Sequence, residues 1–260
     1  MFPKIEVWED FTLRVSLICE LILNAVKTEK NIPKSSNNKE LDKKVKIVSV
    51  DEKTSIQAIE RLEAPGKQGT APRLESEYTR HGTTCLMAAN DVATDSIIHH
   101  QTQPTRTEKD FLNFIDKTTE KLGEKDDIVF LLDQLNTHKS ESLVIWVSQK
   151  IGYKGQLGKK GVKGILKSMK TRMQFLENPK HSIRFVFTPK HCSWLNPVEN
   201  WFSKLQRQVI KYGNFISVNE LENKIDNYVE FYNKSLRKIL KWKFKGFQKA
   251  QELYCLKFSS

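Results

Sequence analysis

Two short, largely apolar runs, KIVSV at 46–50 and IVFLL at 128–132, place the strongest limits on how this chain folds. Runs of this length between polar segments predict buried strands. Weaker strand patterns and helical stripes surround them, the strands at 83–90, 96–101 and 182–187 and the helices at 11–27, 107–122, 140–150, 197–211 and 217–233. Strands first, then helices interleaved with further strands, indicate an α/β fold with a mixed sheet flanked by helices.

Three carboxylates occupy informative positions. Asp51 follows the first run, Asp133 follows the second, and Glu199 lies within SWLNPVENWFSKL. Two acids at the ends of buried strands and a third on a helix are how a nuclease gathers two divalent ions. Simpler explanations remain open at this stage. Either Asp is a common start of a turn, and Asn196, Pro197 and Glu199 have the spacing of an N-cap and capping box.

The neighbours of these acids refine the hypothesis. Side chains alternate along a strand, so Glu52 is expected to face away from Asp51, and we choose Asp51 as the site residue. Downstream of Asp133, the segment NTHKS places donors and a cation beside the carboxylate, which is typical of a phosphate site. We predict that His138 and Lys139 contact phosphate.

The positive charge of the chain is concentrated in two segments. The formal net charge is +12, with +9 between Lys150 and Arg184 and +7 between Lys234 and Lys249. One lysine run is usually a solvated surface, but two runs beside metal-type carboxylates favour a polyanionic partner. The candidate phosphate contacts in them are Lys159, Lys160, Lys163, Lys167, Lys170, Arg172, Lys241, Lys243 and Lys245.

The tryptophans divide into two groups. Trp146 and Trp201 have helical neighbours, which favour packing in the core. Trp194 and Trp242 remain open between packing and stacking on DNA bases, and Trp194 is carried forward as a candidate DNA contact.

Targeting signals point to the cytoplasm. The four cysteines form no zinc or disulfide spacing. The amino terminus begins MFPKIEVWED, which lacks the basic start of a signal peptide, and no segment is apolar over the length of a membrane span. We expect a cytoplasmic protein with no membrane partner.

Five segments in matching order carry a resemblance to a known family: VDEK, EYTRHGTTCLMAANDVAT, LLDQLNTHKS, FTPKHCSWLNPVENWFSKL and YGNFISVNELENKIDNYVEFYN. Together they resemble the DDE transposases of bacterial insertion sequences related to the mariner group, over roughly residues 45–248. The resemblance implies a ribonuclease-H-like fold. It also implies a bacterial, nucleoid-associated protein whose acidic triad is Asp51, Asp133 and Glu199.

The resemblance further implies a reaction. Two Mg²⁺ ions, for which Mn²⁺ may substitute, would be held by the three acids with Asp51 bridging. Hydrolysis of one strand at the element end frees a 3′-hydroxyl, which then attacks target DNA in strand transfer. Relatives generally work as homodimers, and the same is expected here.

Two departures from the family pattern stand out. The 65 residues between Asp133 and Glu199 exceed the usual spacing and contain a basic insertion at about 150–181, before the last strand. Its regularly spaced glycines predict a mobile loop that orders on DNA. Relatives also carry amino-terminal helix-turn-helix domains, for which 44 residues leave no room, so a separately encoded DNA-recognition part is expected.

These observations lead to a domain assignment and to rival functions. We predict a helical remnant and linker at 1–44, the catalytic domain at 45–250 and a tail at 251–260. One alternative to an active transposase domain is a catalytically inactive DNA-binding remnant. Another is a ribonuclease-H-like nuclease that acts on RNA–DNA hybrids or junctions.

Overall fold

The computed structural model describes residues 8–31, 44–64, 73–123 and 126–247. The strands are β1 Val45–Ala64, β2 Arg73–Asp91, β3 Ser96–Gln103, β4 Asp127–Leu132 and β5 Ile183–Phe187. The helices are α1 Trp8–Asn31, α2 Glu108–Leu122, α3 Glu141–Lys150, α4 Met169–Leu176, α5 Val198–Leu205 and α6 Val218–Phe231.

The five strands form one mixed sheet in the order β3-β2-β1-β4-β5. β1, β2 and β3 are antiparallel neighbours, whereas β4 runs parallel to both β1 and β5. The predicted mixed sheet flanked by helices is therefore confirmed, and the basic insertion does precede the last strand. Parallel pairing brings the carboxyl ends of β1, β4 and β5 towards one edge.

β1 is much longer than predicted, and Asp51 does not end it. Pairing with β4 stops at Ser49 opposite Leu131, but pairing with β2 continues to Ala64 opposite Arg73. The second half of β1 therefore leaves the main sheet as a two-stranded ribbon with β2. Asp51 lies where β1 separates from β4, so it emerges at the edge of the parallel sheet although it is inside a strand.

Helices cover the sheet through three hydrophobic clusters. On one face, α2, α3 and α4 pack against β1, β4 and β5, with Trp146 at the margin of this cluster. Towards the antiparallel end, α5 and α6 pack around the fully buried Trp201. The prediction that Trp146 and Trp201 serve packing is confirmed. This packing fixes α5, and hence Glu199, relative to the sheet.

The third cluster joins α1 to the sheet. Val15, Ile18 and Ile22 are buried against Val129 and Leu131 of β4. These contacts favour one domain that includes α1, while the boundary near residue 44 stays a prediction. Most of the predicted linker, at 32–43, and the tail at 251–260 lie outside the described residues. No helix in the described part of the chain has the length and apolar character needed to cross a membrane.

The basic insertion adopts a folded loop, while its predicted mobility and ordering on DNA stay a prediction. Its tip closes where the backbones of Lys159 and Lys163 exchange hydrogen bonds of 2.9 and 3.1 Å. Gly158 makes this closure possible, because a Cβ there would lie 2.1 Å from the Lys163 carbonyl oxygen. Leu166 is buried against the core and anchors the base of the loop. The lysines at the tip are therefore presented on a fixed scaffold.

Candidate active site

Asp51 is held in a defined orientation at the edge of the sheet. Its side chain is buried, with 8% of the residue exposed. The backbone N–H of Glu52 donates to Asp51 Oδ1 at 2.8 Å, and Asn196 Nδ2 donates to Asp51 Oδ2 at 3.0 Å. Both carboxylate oxygens thus have a donor from the protein.

Ser49 and Asn196 form a buried connection between β1 and the start of α5. Ser49 Oγ donates to Asn196 Oδ1 at 2.5 Å and accepts from the backbone N–H of Val198 at 2.8 Å. Asn196 Nδ2 also donates to the Val50 carbonyl at 2.9 Å. The alternative that Asn196 caps α5 is not what the structure contains, because Ser49 takes an amide at the helix start and Asn196 instead orients Asp51.

Glu199 lies in the first turn of α5. It directly follows Val198, whose backbone N–H donates to Ser49 Oγ. Burial, and then the charges of Glu199 and Asp133, raise the pKa of Asp51 to about 7, against the hydrogen bonds from Glu52 and Asn196. Glu199 and Asp133 are therefore each close enough for their charge to act on Asp51. A concentration of negative charge around a buried carboxylate is stabilised by a cation.

Asp133 follows β4 and is fixed by the turn behind it. The backbone N–H of Leu135 donates to Asp133 Oδ1 at 3.0 Å, and His138 Nδ1 lies 2.8 Å from the same oxygen. Burial alone would raise the pKa of Asp133. The hydrogen bond and charge of His138 outweigh that effect and bring the pKa below its ordinary value. Asp133 is thus kept ionised.

His138 is fully buried, so the prediction that it contacts DNA phosphate is corrected. Its ring lies 4.1 Å from the ring of Phe111, between centroids, and its Nε2 lies 3.5 Å from Glu52 Oε1. Burial favours a lower pKa for His138, but the carboxylates of Asp133 and Glu52 raise it to about 9. His138 is therefore a cation that joins Asp133 to a second acid inside the protein.

Glu52 continues this chain of charges to the surface. It faces away from Asp51, as predicted, and its Oε2 lies 3.3 Å from Arg106 Nη1. Glu52 and Arg106, with residues 134–137, line a cleft of about 390 Å³. The alternating charges of Arg106, Glu52, His138 and Asp133 therefore run from this cleft to the Asp133 carboxylate.

Two other predicted phosphate contacts are also buried. Lys139 is held with its ammonium 5.9 Å from the centre of the Phe187 ring, and burial lowers its pKa. Arg172 is buried on α4. Neither side chain is available to DNA at the surface. The turn after β4 and helix α4 pack against the core, and Lys139 and Arg172 are buried in this packing.

The remaining candidate DNA contacts are exposed. Trp194 lies in a short 3₁₀ turn, Ser193–Leu195, just before Asn196. Lys160 Nζ is 3.5 Å from Glu141 Oε2, a surface pair of small energetic weight. The exposed cations are Lys159, Lys160, Lys163, Lys167, Lys170, Lys241, Lys243 and Lys245. They lie in the two basic segments of the chain, and their contact with DNA stays a prediction.

The chemistry of the acids suits a divalent ion, although the acids are not assembled as a closed cage. Carboxylate oxygens are the ligands that Mg²⁺ and Mn²⁺ prefer. Within the described ranges, no three His, Cys, Asp or Glu side chains form a ready metal cluster. Asp51, Asp133 and Glu199 remain the candidate residues, since burial and the charges of Glu199 and Asp133 raise the pKa of Asp51, and a cation would offset both effects.

Three contributing residues were missed or misassigned from the sequence. Ser49 precedes Asp51 by two positions, so the two share one face of β1, and a serine in an apolar strand was an available signal. Asn196 was assigned to helix capping because its local spacing fits that role. Arg106 gave no local signal, since its partner Glu52 is 54 residues away.

The fold and the family are now defined. A mixed sheet in this order, covered by helices and bearing acids on β1, after β4 and on α5, is a ribonuclease-H-like fold. The model of the DDE superfamily endonuclease family matches residues 46–222, more than half of the chain, and the chain belongs to this family. An integrase core domain model also matches residues 199–248. No curated protein matches the chain.

Solved structures of the Mos1 mariner transposase are similar in fold. A pre-cleavage Mos1 transpososome is 14% identical, with a TM-score of 0.50, and the match covers 90% of this chain and 60% of that one. The Mos1 paired end complex with Mn is 16% identical, with a TM-score of 0.49 and the same coverage. This chain therefore spans about 60% of the Mos1 chain.

The buried hydrogen bonds that join Ser49 and Asn196, which we call the tether, give a testable expectation. Asn196→Asp keeps the shape of the side chain but replaces the donor facing Asp51 with a second carboxylate oxygen. We expect DNA cleavage to fall about a hundredfold, because small misplacements of reacting groups cost that much. Urea unfolding should show a loss of roughly 1–3 kcal/mol for the buried network.

The matched control is Asn200→Asp, which adds the same charge to an exposed position of α5. It should cleave and unfold like the wild type. Equal effects of the two variants would mean that added charge matters and the tether does not.

Proposed function

We propose that this chain is the catalytic domain of a transposase that cuts DNA and joins the cut end to target DNA. The observation that carries the proposal is that Asp133 and Glu199, on other elements, lie near enough to raise the pKa of the buried Asp51, in a chain of the DDE superfamily endonuclease family. DNA is the proposed substrate because the chain carries two segments of exposed lysines and its fold is similar to that of the Mos1 transposase in a pre-cleavage transpososome.

In the proposed mechanism, Asp51, Asp133 and Glu199 would hold two Mg²⁺ or Mn²⁺ ions. Such ions lower the pKa of a bound water and stabilise charge on a departing oxygen. Asn196 and the Glu52 amide orient the Asp51 carboxylate, and His138 keeps Asp133 ionised and in place. Asp51 and Asp133 are thereby oriented by the protein itself, which would reduce the reorganisation needed for reaction.

Strand transfer uses the same site. After hydrolysis, the freed 3′-hydroxyl of the DNA takes the place of water as nucleophile and attacks a phosphodiester of the target. We also propose a homodimer as the working form and a separately encoded DNA-recognition part as a partner. The predicted domain division belongs to the same proposal.

The first test is metal-dependent nicking of supercoiled plasmid DNA. We expect nicked circles with Mg²⁺ or Mn²⁺ and none in excess EDTA, because the three acids alone cannot activate water. Restoring Mg²⁺ after EDTA should restore nicking. DNA binding without cleavage under either ion would instead identify an inactive DNA-binding remnant, and cleavage confined to RNA–DNA hybrids would identify a different nuclease.

A further inference from the structure

Two aromatic side chains lie exposed and in contact near the acids. Trp194 is 51% exposed and Phe244 is 39% exposed. Their ring centroids are 5.6 Å apart, at an interplanar angle of 65°, which is a favourable edge-to-face arrangement. Large apolar rings grouped at a surface mark sites of interaction. We refer to Trp194 and Phe244 as the aromatic platform.

The platform adjoins the proposed catalytic site. Trp194 precedes Asn196 by two residues, and the Asn196 side chain hydrogen-bonds the Asp51 carboxylate at 3.0 Å. The intervening Leu195 is fully buried beneath the sheet edge, so the turn that carries Trp194 is fixed. A nucleotide next to a phosphodiester at Asp51 would therefore lie within reach of the platform.

Phe244 belongs to a segment, residues 237–247, that is held without regular secondary structure against α1. The backbone N–H of Phe247 donates to Ser16 Oγ at 2.9 Å. Gly246 has φ +84°, and a Cβ there would lie 2.6 Å from Ser16 Oγ, so glycine permits the close approach. Phe247 contacts the ring of Phe244 at 5.7 Å. The platform is thus formed in advance, which lowers the entropic cost of binding.

The charged residues of the segment that carries Phe244 are all positive. Exposed lysines 241, 243 and 245 alternate with Trp242 and Phe244, and residues 234–247 contain no acid. Trp242 is partly buried and packs on the α1 cluster, which resolves the alternative left open for it in favour of packing. Cations that follow a backbone, combined with exposed rings, are the features of surfaces that bind single strands.

We propose that Trp194 and Phe244 stack on unpaired DNA bases beside the cleaved phosphodiester, while the lysines of residues 241–245 hold the strand's backbone. This inference rests on the proposed function and specifies its substrate as locally unpaired DNA. Rings stack on bases whose faces are free, and the faces of paired bases within a duplex are covered by their neighbours.

The test separates base stacking from backbone attraction. Binding is measured by fluorescence anisotropy in EDTA, so that no cleavage occurs, with a thymidine oligonucleotide of about 20 nucleotides, long enough for one site. An abasic oligonucleotide of the same length carries the same phosphates without bases. We expect the wild type to bind the thymidine strand about tenfold more tightly than the abasic strand, given the usual strength of base stacking.

Trp194→Ala and Phe244→Ala should each remove most of that preference and leave affinity for the abasic strand unchanged. Trp194→Phe should retain it, and thermal unfolding verifies that every variant is folded. The matched control is Tyr212→Ala, because Tyr212 is 68% exposed and has the ammonium of Lys211 4.8 Å from its ring centre. This control should bind both strands like the wild type.

Three results would overturn the proposal. The first is a wild type with no preference for the thymidine strand, and the second is an equal loss of affinity for both strands in Trp194→Ala. The third is loss of self-association in sedimentation as the sole effect of Trp194→Ala. The last would assign the platform to a second copy of the chain. Nicking with Mg²⁺ that persists without any base preference would refute the platform and leave the proposed function intact. Absence of all DNA binding would refute both.

Discussion

Asp133→Asn is expected to lower the rate of Mg²⁺-dependent plasmid nicking by at least about a thousandfold, since loss of ion-mediated charge stabilisation costs several kcal/mol in the transition state. Asparagine preserves the size of the side chain and can still accept the Leu135 amide. What it removes is the negative charge, which His138 keeps in place in the wild type. Single-turnover nicking at saturating Mg²⁺ measures the change.

The control for this change is Asp226→Asn. Asp226 is exposed, and its carboxylate pairs with His100 Nε2 at 2.8 Å, on α6 and far from the acids in sequence. This variant loses the same charge and should nick at the wild-type rate. Equal nicking rates of the two variants would show that Asp133 is not required for the reaction.

The second large effect concerns stability and the buried cation. His138→Leu is expected to lower the free energy of unfolding by about 3–5 kcal/mol, because removing one partner leaves buried charge uncompensated. The loss should lie near 3 kcal/mol, since Arg106 still pairs with Glu52. Urea unfolding in a chelating buffer gives the value. Removing the acid as well, in His138→Leu with Glu52→Leu, should recover part of it.

The pH dependence of this difference follows from the raised pKa of His138. A group whose folded-state pKa lies near 9, above an ordinary 6.5, adds stability that is complete below pH 6.5 and is lost as pH rises through 9. The difference between wild type and His138→Leu should therefore shrink in alkaline buffer. A matched surface pair provides the comparison: His100→Leu should cost no more than about 1 kcal/mol. Equal losses for the two variants would contradict a buried charge chain.

Much of the fold was predictable because its signals are local. A short apolar run predicted β4, a weaker local pattern predicted β5, and the helix predicted at 107–122 begins at a capping box between Thr107 and Asp110. The length of β1 was not predictable in this way. Its second half is polar and is a strand because it pairs with β2, and such pairing depends on residues distant in the chain.

The candidate site shows the same division between local and distant causes. Asn196 has the local spacing of a helix cap, but Ser49, 147 residues away, takes the helix amide and leaves Asn196 for Asp51. His138 has the composition of a phosphate contact, but the Phe111 ring and Glu52 enclose it. In both cases a tertiary contact decides between roles that the sequence allows equally.

The central claim is that Asp51, Asp133 and Glu199 bind metal as one site. Titration of Mn²⁺ followed by the electron paramagnetic resonance signal of free Mn²⁺ tests it directly, without DNA and without a reaction. We predict that Asp51→Asn, Asp133→Asn and Glu199→Gln each weaken Mn²⁺ binding by at least about tenfold, whereas Asp226→Asn binds like the wild type. Wild-type Mn²⁺ affinity in all three acid variants would contradict the claim.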